Sequence, residues 1–171
     1  GDLRQMLHAY IFGERHPDTA ISLNNVALST NALGDPKRAL ELAEQALAIQ
    51  RELFGQWHPD TARSLNNVAG YTKELGNPKR ALELAEETLA IRRELFGERH
   101  PTTATSLSNV AYYIDALGNP QRALELSEEA LAIRRELFGE RHPDIATSLH
   151  NMAGYFRSLG KAHQTYACAQ R

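Results

Sequence analysis

The sequence predicts an all-α fold in which antiparallel helix pairs stack into a solenoid. A His-Pro dipeptide recurs every 42 residues, as His16-Pro17, His58-Pro59, His100-Pro101 and His142-Pro143. Residues 55–96 and 97–138 are identical at 30 of 42 positions. Self-similarity at such a period is typical of stacked supersecondary units. Each period holds two amphipathic helical patterns, and no alternating β-branched run indicates a strand.

The first helix of each period is predicted to begin at the proline of the His-Pro dipeptide. Proline suits the first helical turn, where its missing N–H has no intrahelical acceptor. In the first period the apolar stripe is Ala20, Leu23, Val26 and Ala27, and Gly34 ends the helix. The sequence therefore predicts a first helix from about residue 17 to residue 33.

The second helix begins at an Asp-Pro or Asn-Pro dipeptide, first seen as Asp35-Pro36. Asp and Asn are good N-cap residues, and Gly55 ends the pattern. Alanines such as Ala27, Ala39 and Ala46 recur where the helices are expected to cross closely. One such pair cannot bury both of its faces, so neighbouring repeats are needed to complete the core.

The repeat register divides the chain into one array over residues 1–171. Residues 1–12 are predicted to be the end of a preceding second helix. Full repeats follow at 13–54, 55–96 and 97–138, and a partial fourth repeat occupies 139–171. Gly160 lies in the register of Gly34, so a helix break is expected there. The segment from Lys161 to Gln164 departs from the repeat and is expected to begin a polar cap.

Composition excludes several classes of function. The chain has 171 residues, a net charge of −2 and 42% hydrophobic residues. The near-zero charge gives no electrostatic basis for nucleic-acid or anionic-membrane partners. No apolar run has the length of a membrane helix, and the first residues lack a signal-peptide pattern. A single cysteine excludes an internal disulfide framework and favours a reducing cytoplasm.

The repeated residues resemble those of a known family. Leu-x-Asn-Val-Ala, a loop glycine and Pro-x-x-Ala-Leu are similar to the tetratricopeptide repeat. The 42-residue period, with the segment Ala-Leu-Ala-Ile-Arg-Arg-Glu-Leu-Phe-Gly, resembles the kinesin-light-chain type, which is also frequent in bacteria. The resemblance implies a right-handed superhelical solenoid whose first helices line a concave groove. It also implies a protein-interaction scaffold, and similar bacterial arrays are often attached to signalling NTPases.

No residue pattern predicts catalysis, a cofactor or a metal. Equivalent histidines in neighbouring repeats are expected to lie roughly 10 Å apart, too far to share one ion. A role at the helix entrance is the preferred interpretation of these histidines. Cys168 lies in the register of Leu42, which favours a buried thiol over a reactive one. We therefore expect a protein that is not an enzyme.

Asparagine recurs at one position in all four first helices, as Asn25, Asn67, Asn109 and Asn151. Asparagine is a mediocre helix former, so its recurrence needs a reason. One interpretation is a hydrogen bond to a neighbouring helix. The other, implied by the family resemblance, is a row of amides that bind the backbone of an extended peptide. Both roles can coexist.

Positions on the same helix face as these asparagines differ between repeats, which suits the determination of specificity. The cations Arg63, Lys73 and Arg157 are candidates to meet carboxylates, although Glu74 and Asp115 dilute their charge. The full predicted peptide-binding set is Asn24, Asn25, Arg63, Asn66, Asn67, Lys73, Asn109, Tyr112, His150, Asn151 and Arg157.

Other recurrent residues have simpler interpretations. Tyr71, Tyr113 and Tyr155 recur and are predicted to fill the core. Trp57 is open to two interpretations, an anchor for a partner or a cover for the next helix. The arginine pairs Arg92-Arg93 and Arg134-Arg135 are predicted to lie on a solvated outer face with local ion pairs.

Three functions fit the sequence. The leading hypothesis is a non-catalytic scaffold that binds an extended peptide in the concave groove. The second is a structural spacer that associates end to end with other copies. The third is a sensor arm of a larger signalling NTPase.

Overall fold

The computed structural model describes Leu3 and residues 15–169, with side chains for Leu3 and residues 15–160. These residues form helices and turns, without a strand. The first helices of the repeats are α1 (Pro17–Ala32), α3 (Pro59–Glu74), α5 (Pro101–Ala116) and α7 (Pro143–Ala169). The second helices are α2 (Pro36–Phe54), α4 (Pro78–Phe96) and α6 (Pro120–Phe138). The all-α prediction is confirmed. The predicted helix fragment over residues 1–12 lies outside the described residues, apart from Leu3.

The His-Pro dipeptides begin the first helices by a shared mechanism. Each histidine Nδ1 accepts a hydrogen bond from the backbone N–H two residues later. The four N–N distances are 3.2 Å at His16, 3.1 Å at His58, 3.2 Å at His100 and 3.2 Å at His142. The ring of His58 also stacks on Phe54, with centroids 4.2 Å apart. The predicted role at the helix entrance is confirmed, because the imidazole satisfies a donor that the helix leaves unpaired.

Glycine ends the helices because the chain there adopts positive φ, which side chains with a Cβ disfavour. Gly34 has φ of 89° after α1, and Gly55 has φ of 79° after α2. The next helix then begins at once, since the Asp35 carboxylate accepts from the Arg38 N–H at 3.0 Å. Within each unit, the short connections bring the helices that they join into antiparallel contact.

The chain forms two compact units, residues 1–95 (unit 1) and residues 96–171 (unit 2). In unit 1, α2 packs against both α1 and α3. In unit 2, α6 packs against both α5 and α7. The recurrent alanines are fully buried at these crossings, which allows close packing of the helix axes. They include Ala27, Ala39, Ala46 and Ala69 in unit 1 and Ala111, Ala123 and Ala130 in unit 2.

Helix α7 differs from the predicted pattern, because it continues without a break from Pro143 to Ala169. Gly160 is helical and does not adopt the positive φ of Gly34. The residues that follow explain the difference. Lys161 and Ala162 stand where the other repeats place Asp or Asn and then Pro, so the N-cap and the proline that start a new helix are missing. The expected helix break at Gly160 is therefore wrong.

Candidate functional site

The first helices of unit 1 are joined by a buried chain of hydrogen bonds. Asn24 on α1 donates from Nδ2 to Ser64 Oγ on α3 at 2.7 Å. Ser64 in turn donates to Gln50 Oε1 on α2. On the other side, Asn67 Nδ2 donates to Asn24 Oδ1 at 3.2 Å. Three helices therefore meet at one buried polar cluster.

Asn24 was predicted as a peptide-binding residue, and the structure gives it hydrogen bonds within the fold. Only 5% of its surface is exposed, and both ends of its amide are used within the fold. An amide that is almost completely buried and already hydrogen-bonded at both ends inside the fold is not accessible to a peptide backbone. The structure therefore removes Asn24 from the residues that can meet a peptide directly and makes it a support for Asn67.

The recurrent asparagines one position later are more accessible. Asn25 and Asn151 are exposed, and Asn67 and Asn109 are half-buried. At the preceding position Asn66 is half-buried and His150 is exposed. We call the surface formed by these side chains and their neighbours on α1 and α3, or on α5 and α7, the first-helix face of each unit.

Charged groups border this face in unit 1. Arg63 is exposed and forms an ion pair with Asp60, with 3.0 Å between Nη2 and Oδ1. Lys73 is half-buried near the end of α3. Asn31 on α1 donates to Glu74 Oε1 at 3.2 Å, which links the C-terminal ends of α1 and α3. Because Arg63 is held only by an exposed pair, it can exchange that partner at low cost.

Unit 2 has a different set of side chains on the equivalent face. The Tyr112 side chain is 46% exposed, and Arg157 on α7 is exposed. Asp115 occupies the register of Asn31. The inner atoms Asn31 Oδ1 and Asp115 Oδ1 are both buried without a hydrogen-bond partner. The same register therefore holds a buried acceptor without a hydrogen-bond partner in both units.

The recurrent tyrosines are core residues, as predicted. Tyr71, Tyr113 and Tyr155 are nearly fully buried. Burial, together with the charge of Asp115, raises the pKa of Tyr155 to about 12. Burial also raises the pKa of Tyr71. Trp57 lies in the loop between α2 and α3 with more than half of its surface exposed, so it is open to a partner.

The prediction that Arg134 lies on a solvated outer face is wrong. Only 7% of its surface is exposed. Its Nη1 donates to Ser148 Oγ on α7 at 2.6 Å and to Ser108 Oγ on α5 at 3.0 Å. Sequence reasoning missed this position, although a signal was present. Arg134 follows the buried residues Ala130 and Leu131 by four and three positions, which places it on the buried stripe.

The outer side of unit 1 has a shallow cavity of about 440 Å³ between α2, α3 and α4. It is lined by apolar side chains such as Leu47 and Val68 and by Arg51 and Arg80. Arg51 is already paired with Glu87 at 2.7 Å. In the described part of the chain, His, Cys, Asp and Glu side chains form no group of three that could hold a metal ion. The Cys168 side chain lies outside the described residues.

The fold and the two first-helix faces define a repeat scaffold built from helix pairs. The family model of the tetratricopeptide repeat matches residues 6–52, 18–94, 60–136 and 102–164. The chain therefore belongs to the tetratricopeptide repeat family, whose members are typically non-catalytic scaffolds with protein or peptide partners. None of the helices in the described part of the chain has the length and hydropathy of a membrane span.

Solved structures show the same architecture. A Podosopora anserina protein described as a kinesin light chain with nearly identical TPR-like repeats is 29% identical, with a TM-score of 0.78. That match covers 87% of this chain and 71% of the other. BtubC from P. vanneervenii is 27% identical, with a TM-score of 0.77, over 91% of this chain and 63% of its own.

More distant structures share the fold alone. A Rap protein complexed with competence and sporulation factor is 18% identical, with a TM-score of 0.72, over 88% of this chain and 40% of its own. No curated protein sequence matches the chain significantly. The recognition of a kinesin-light-chain-like tetratricopeptide array is confirmed.

Proposed function

We propose that the protein is a scaffold that binds an extended peptide along the first-helix face. The observation that carries this proposal is the half-exposed Asn67, whose amide is oriented by its hydrogen bond to the buried Asn24. This bond uses one N–H of Asn67 and leaves the other N–H and the oxygen for an outside partner. An oriented amide suits a peptide backbone because it pairs with peptide groups whatever their side chains.

The rigid support of Asn67 strengthens this proposal. Asn24 is itself held by Ser64, which is fully buried. Preorganised polar groups bind with a smaller loss of side-chain entropy than mobile ones. In unit 2, Asn109 occupies the equivalent position and Tyr112 is exposed one turn later, where it can cover an apolar peptide side chain.

The outer residues of the face are proposed to set the peptide preference. Arg63, Lys73 and Arg157 are cations, whereas α1 has the exposed apolar Ile21 in the register of Arg63 and the amide Asn31 in the register of Lys73 and Arg157. Asn25, Asn66, His150 and Asn151 complete the proposed set. Since the residues in the registers of Arg63 and Lys73 differ between repeats while the core alanine in the register of Ala27 does not, these outer positions favour one peptide sequence over another.

Substitution of Asn67 tests the proposal. A peptide is first selected on the wild-type protein from a phage-displayed library of random peptides, and its affinity is measured by calorimetry. Asn67→Ala is expected to weaken binding by about 1–3 kcal/mol, because hydrogen bonds to the peptide backbone are lost. Gln45→Ala is the matched control, since it removes an exposed amide from α2 and should leave affinity unchanged.

Two results would contradict peptide binding. One is an unchanged affinity in Asn67→Ala with a native circular dichroism spectrum. The other is failure of the folded wild-type protein to select any peptide above background. Either result would leave the asparagines with a purely structural role.

The second candidate function, self-association, is favoured by the exposed apolar side of α7. Leu149 is 46% exposed, whereas its counterparts Leu65 and Leu107 are fully buried. Ala153 and Phe156 are also exposed on α7. A second copy covering this side would bury apolar side chains of α7 whose counterparts on α3 and α5 are already buried.

Sedimentation equilibrium tests self-association. The wild-type protein is expected to show a mass that rises with concentration, and Leu149→Glu should abolish the rise. A constant monomer mass for the wild-type protein at high concentration would contradict this candidate and leave peptide binding unaffected.

A further inference from the structure

Two of the loops that lead into first helices have the same local structure. The loop that joins α2 to α3 comprises residues 55–58, and the loop that joins α4 to α5 comprises residues 97–100. In each loop the glycine carbonyl accepts from a threonine hydroxyl, Thr61 at 2.9 Å and Thr103 at 2.8 Å. In each, the histidine ring stacks on the phenylalanine that ends the preceding helix. The residue just before the histidine therefore occupies an equivalent position in both loops.

Arginine at this loop position neutralises a glutamate of the next second helix. Arg15 forms an ion pair with Glu52 on α2. Arg99 forms one with Glu136 on α6, with 2.8 Å between Nη1 and Oε1. In both pairs the glutamate follows the arginine by 37 residues. The same interval leads from the loop between α2 and α3 to Glu94 on α4.

Trp57 stands at the arginine position in the loop between α2 and α3, so this repeat lacks the cation. The indole is 55% exposed. Glu94 is also exposed, and among the residues whose side chains the structure describes it has no ion-pair or hydrogen-bond partner. One repeat therefore has an accessible aromatic ring and an unpaired carboxylate where two others have an ion pair.

The two arginines that precede this glutamate on α4 have other partners. Arg92 lies in the register of Gln50, whose side chain is buried and bonded to a first helix. Arg93 lies in the register of Arg51, which pairs with Glu87 on the following second helix. Successive side chains of a helix point about 100° apart. The neighbouring guanidinium groups therefore do not take the place of the missing loop arginine.

The loop that carries Trp57 lies against α4 in unit 1. One residue before the indole, Gln56 Nε2 donates to Glu87 Oε1 at 3.4 Å. In unit 2 the equivalent loop and α6 enclose a shallow cavity of about 350 Å³, whose walls include Arg99 and Glu136. The equivalent surface of unit 1 has Trp57 in the register of that arginine. We call Trp57 and Glu94 together the indole–carboxylate surface.

We propose that the indole–carboxylate surface binds an arginine side chain of a protein partner. The partner's guanidinium takes the place of the arginine that the other repeats supply themselves, pairs with Glu94 and stacks on Trp57. Arginine is favoured over lysine because its planar group stacks on an aromatic face while its edge donates to a carboxylate. An acidic side chain is disfavoured by the unpaired charge of Glu94. This surface is separate from the first-helix face, so the inference does not depend on the proposed peptide binding.

A phage-displayed library of random peptides without tryptophan provides the probe. The library is first depleted on Trp57→Arg and then selected on the wild-type protein. The variant restores the arginine found at positions 15, 99 and 141, so it is expected to fold and to pair with Glu94. The peptides that remain should share an arginine. Because Trp57 is the single tryptophan of the chain, its fluorescence reports binding at this surface and gives the affinity.

Replacement of the shared arginine by citrulline, a neutral residue of nearly the same shape, tests the role of the charge. The change should weaken binding to the wild-type protein by about threefold or more. Glu94→Gln should weaken the arginine peptide by about two- to fivefold and reduce the ratio of arginine to citrulline affinity. Glu136→Gln is the matched control, since the same residue in unit 2 already pairs with Arg99, and it should leave affinity unchanged.

Several outcomes would overturn the proposal. They are the recovery of no arginine peptide after depletion, the recovery of acidic peptides instead, or an arginine-to-citrulline ratio that is the same in wild-type protein and Glu94→Gln. If circular dichroism shows that Trp57→Arg does not fold, depletion on Glu94→Gln replaces that step and the same outcomes apply.

The variant Asn67→Ala separates this surface from the first-helix face. It should bind the arginine peptides with wild-type affinity, and a loss of affinity would overturn the assignment to a separate surface. Recovery of peptides that depend on Asn67 but of none that change Trp57 fluorescence overturns the arginine site and leaves peptide binding in place.

Discussion

Removal of the Ser64 hydroxyl is expected to destabilise unit 1 more than most single substitutions in a helix. Ser64 lies at the centre of the chain that joins α1, α2 and α3. It accepts from Asn24 at 2.7 Å and donates to Gln50. Ser64→Ala deletes both hydrogen bonds at once and adds no steric conflict.

The magnitude follows from the groups left behind. The substitution leaves Asn24 Nδ2 and Gln50 Oε1 without their serine partner, in side chains only 5% and 1% exposed. A buried polar group without a partner costs about 1–3 kcal/mol. The two groups can approach each other across the space of the lost hydroxyl. For two groups the cost sums to about 2–6 kcal/mol, and their approach to each other reduces it. We therefore expect the free energy of unfolding to fall by about 2–4 kcal/mol.

Urea unfolding followed by far-UV circular dichroism measures this loss. Hydrogen exchange of the α3 amides then localises it, because repeat proteins can unfold unit by unit. Ser29→Ala is the matched control, since its exposed hydroxyl bonds only the Asn25 carbonyl of its own helix. It should change stability by less than about 0.5 kcal/mol.

A combined variant checks the assignment to unpaired polar groups. Adding Gln50→Met to Ser64→Ala should recover part of the lost stability, because an apolar group replaces the unpaired oxygen. If Ser64→Ala were as stable as the Ser29→Ala control, the buried hydrogen-bond chain would have no energetic role and the reasoning would be refuted.

Two further predictions concern the helix entrances and the buried tyrosines. His58→Ala should reduce the free energy of unfolding by about 1 kcal/mol and lower the melting temperature, because the cap on the Asp60 N–H and the ring stacking on Phe54 are lost. His58→Asn, which keeps a capping side chain, should retain most of the stability. Equal losses of stability in both variants would contradict the capping role. Tyr155 has a pKa of about 12 in the folded chain against 10.0 for the free group. Between these pH values only the unfolded chain loses the phenol proton, which stabilises the unfolded state. The free energy of unfolding should therefore fall as pH rises, by at most about 1.4 kcal/mol per pH unit. Urea midpoints over that range should fall less steeply in Tyr155→Phe, and an identical slope would contradict the raised pKa.

Most of the fold could be predicted from the sequence because its signals are local. A proline after histidine starts a helix through fixed φ and an imidazole acceptor, and Gly34 ends one through positive φ. These signals act within a few residues and recur at a fixed interval. The break expected at Gly160 failed for a local reason too, since Lys161 and Ala162 lack the capping chemistry that a new helix needs.

The candidate site was predictable only in part. The sequence identified the recurrent asparagine position and the variable residues around it. It could not distinguish Asn24 from Asn25, because adjacent residues on a helix point about 100° apart and a small rotation of the helix decides which one is buried. The arginine pair Arg134-Arg135 posed the same difficulty, and the structure buries the first and exposes the second.

The sequence by itself determined the all-α class, the helix limits up to α6 and the positions where chemistry varies between repeats. Each of these depends on short-range backbone preferences or on comparison of one repeat with the next. Only the tertiary structure decided which polar groups are consumed inside the fold. Asn24 bonds Ser64 from a distance of 40 residues in sequence, and Arg134 bridges serines on two different helices. Such pairings depend on how helix faces meet in three dimensions, which no local preference specifies.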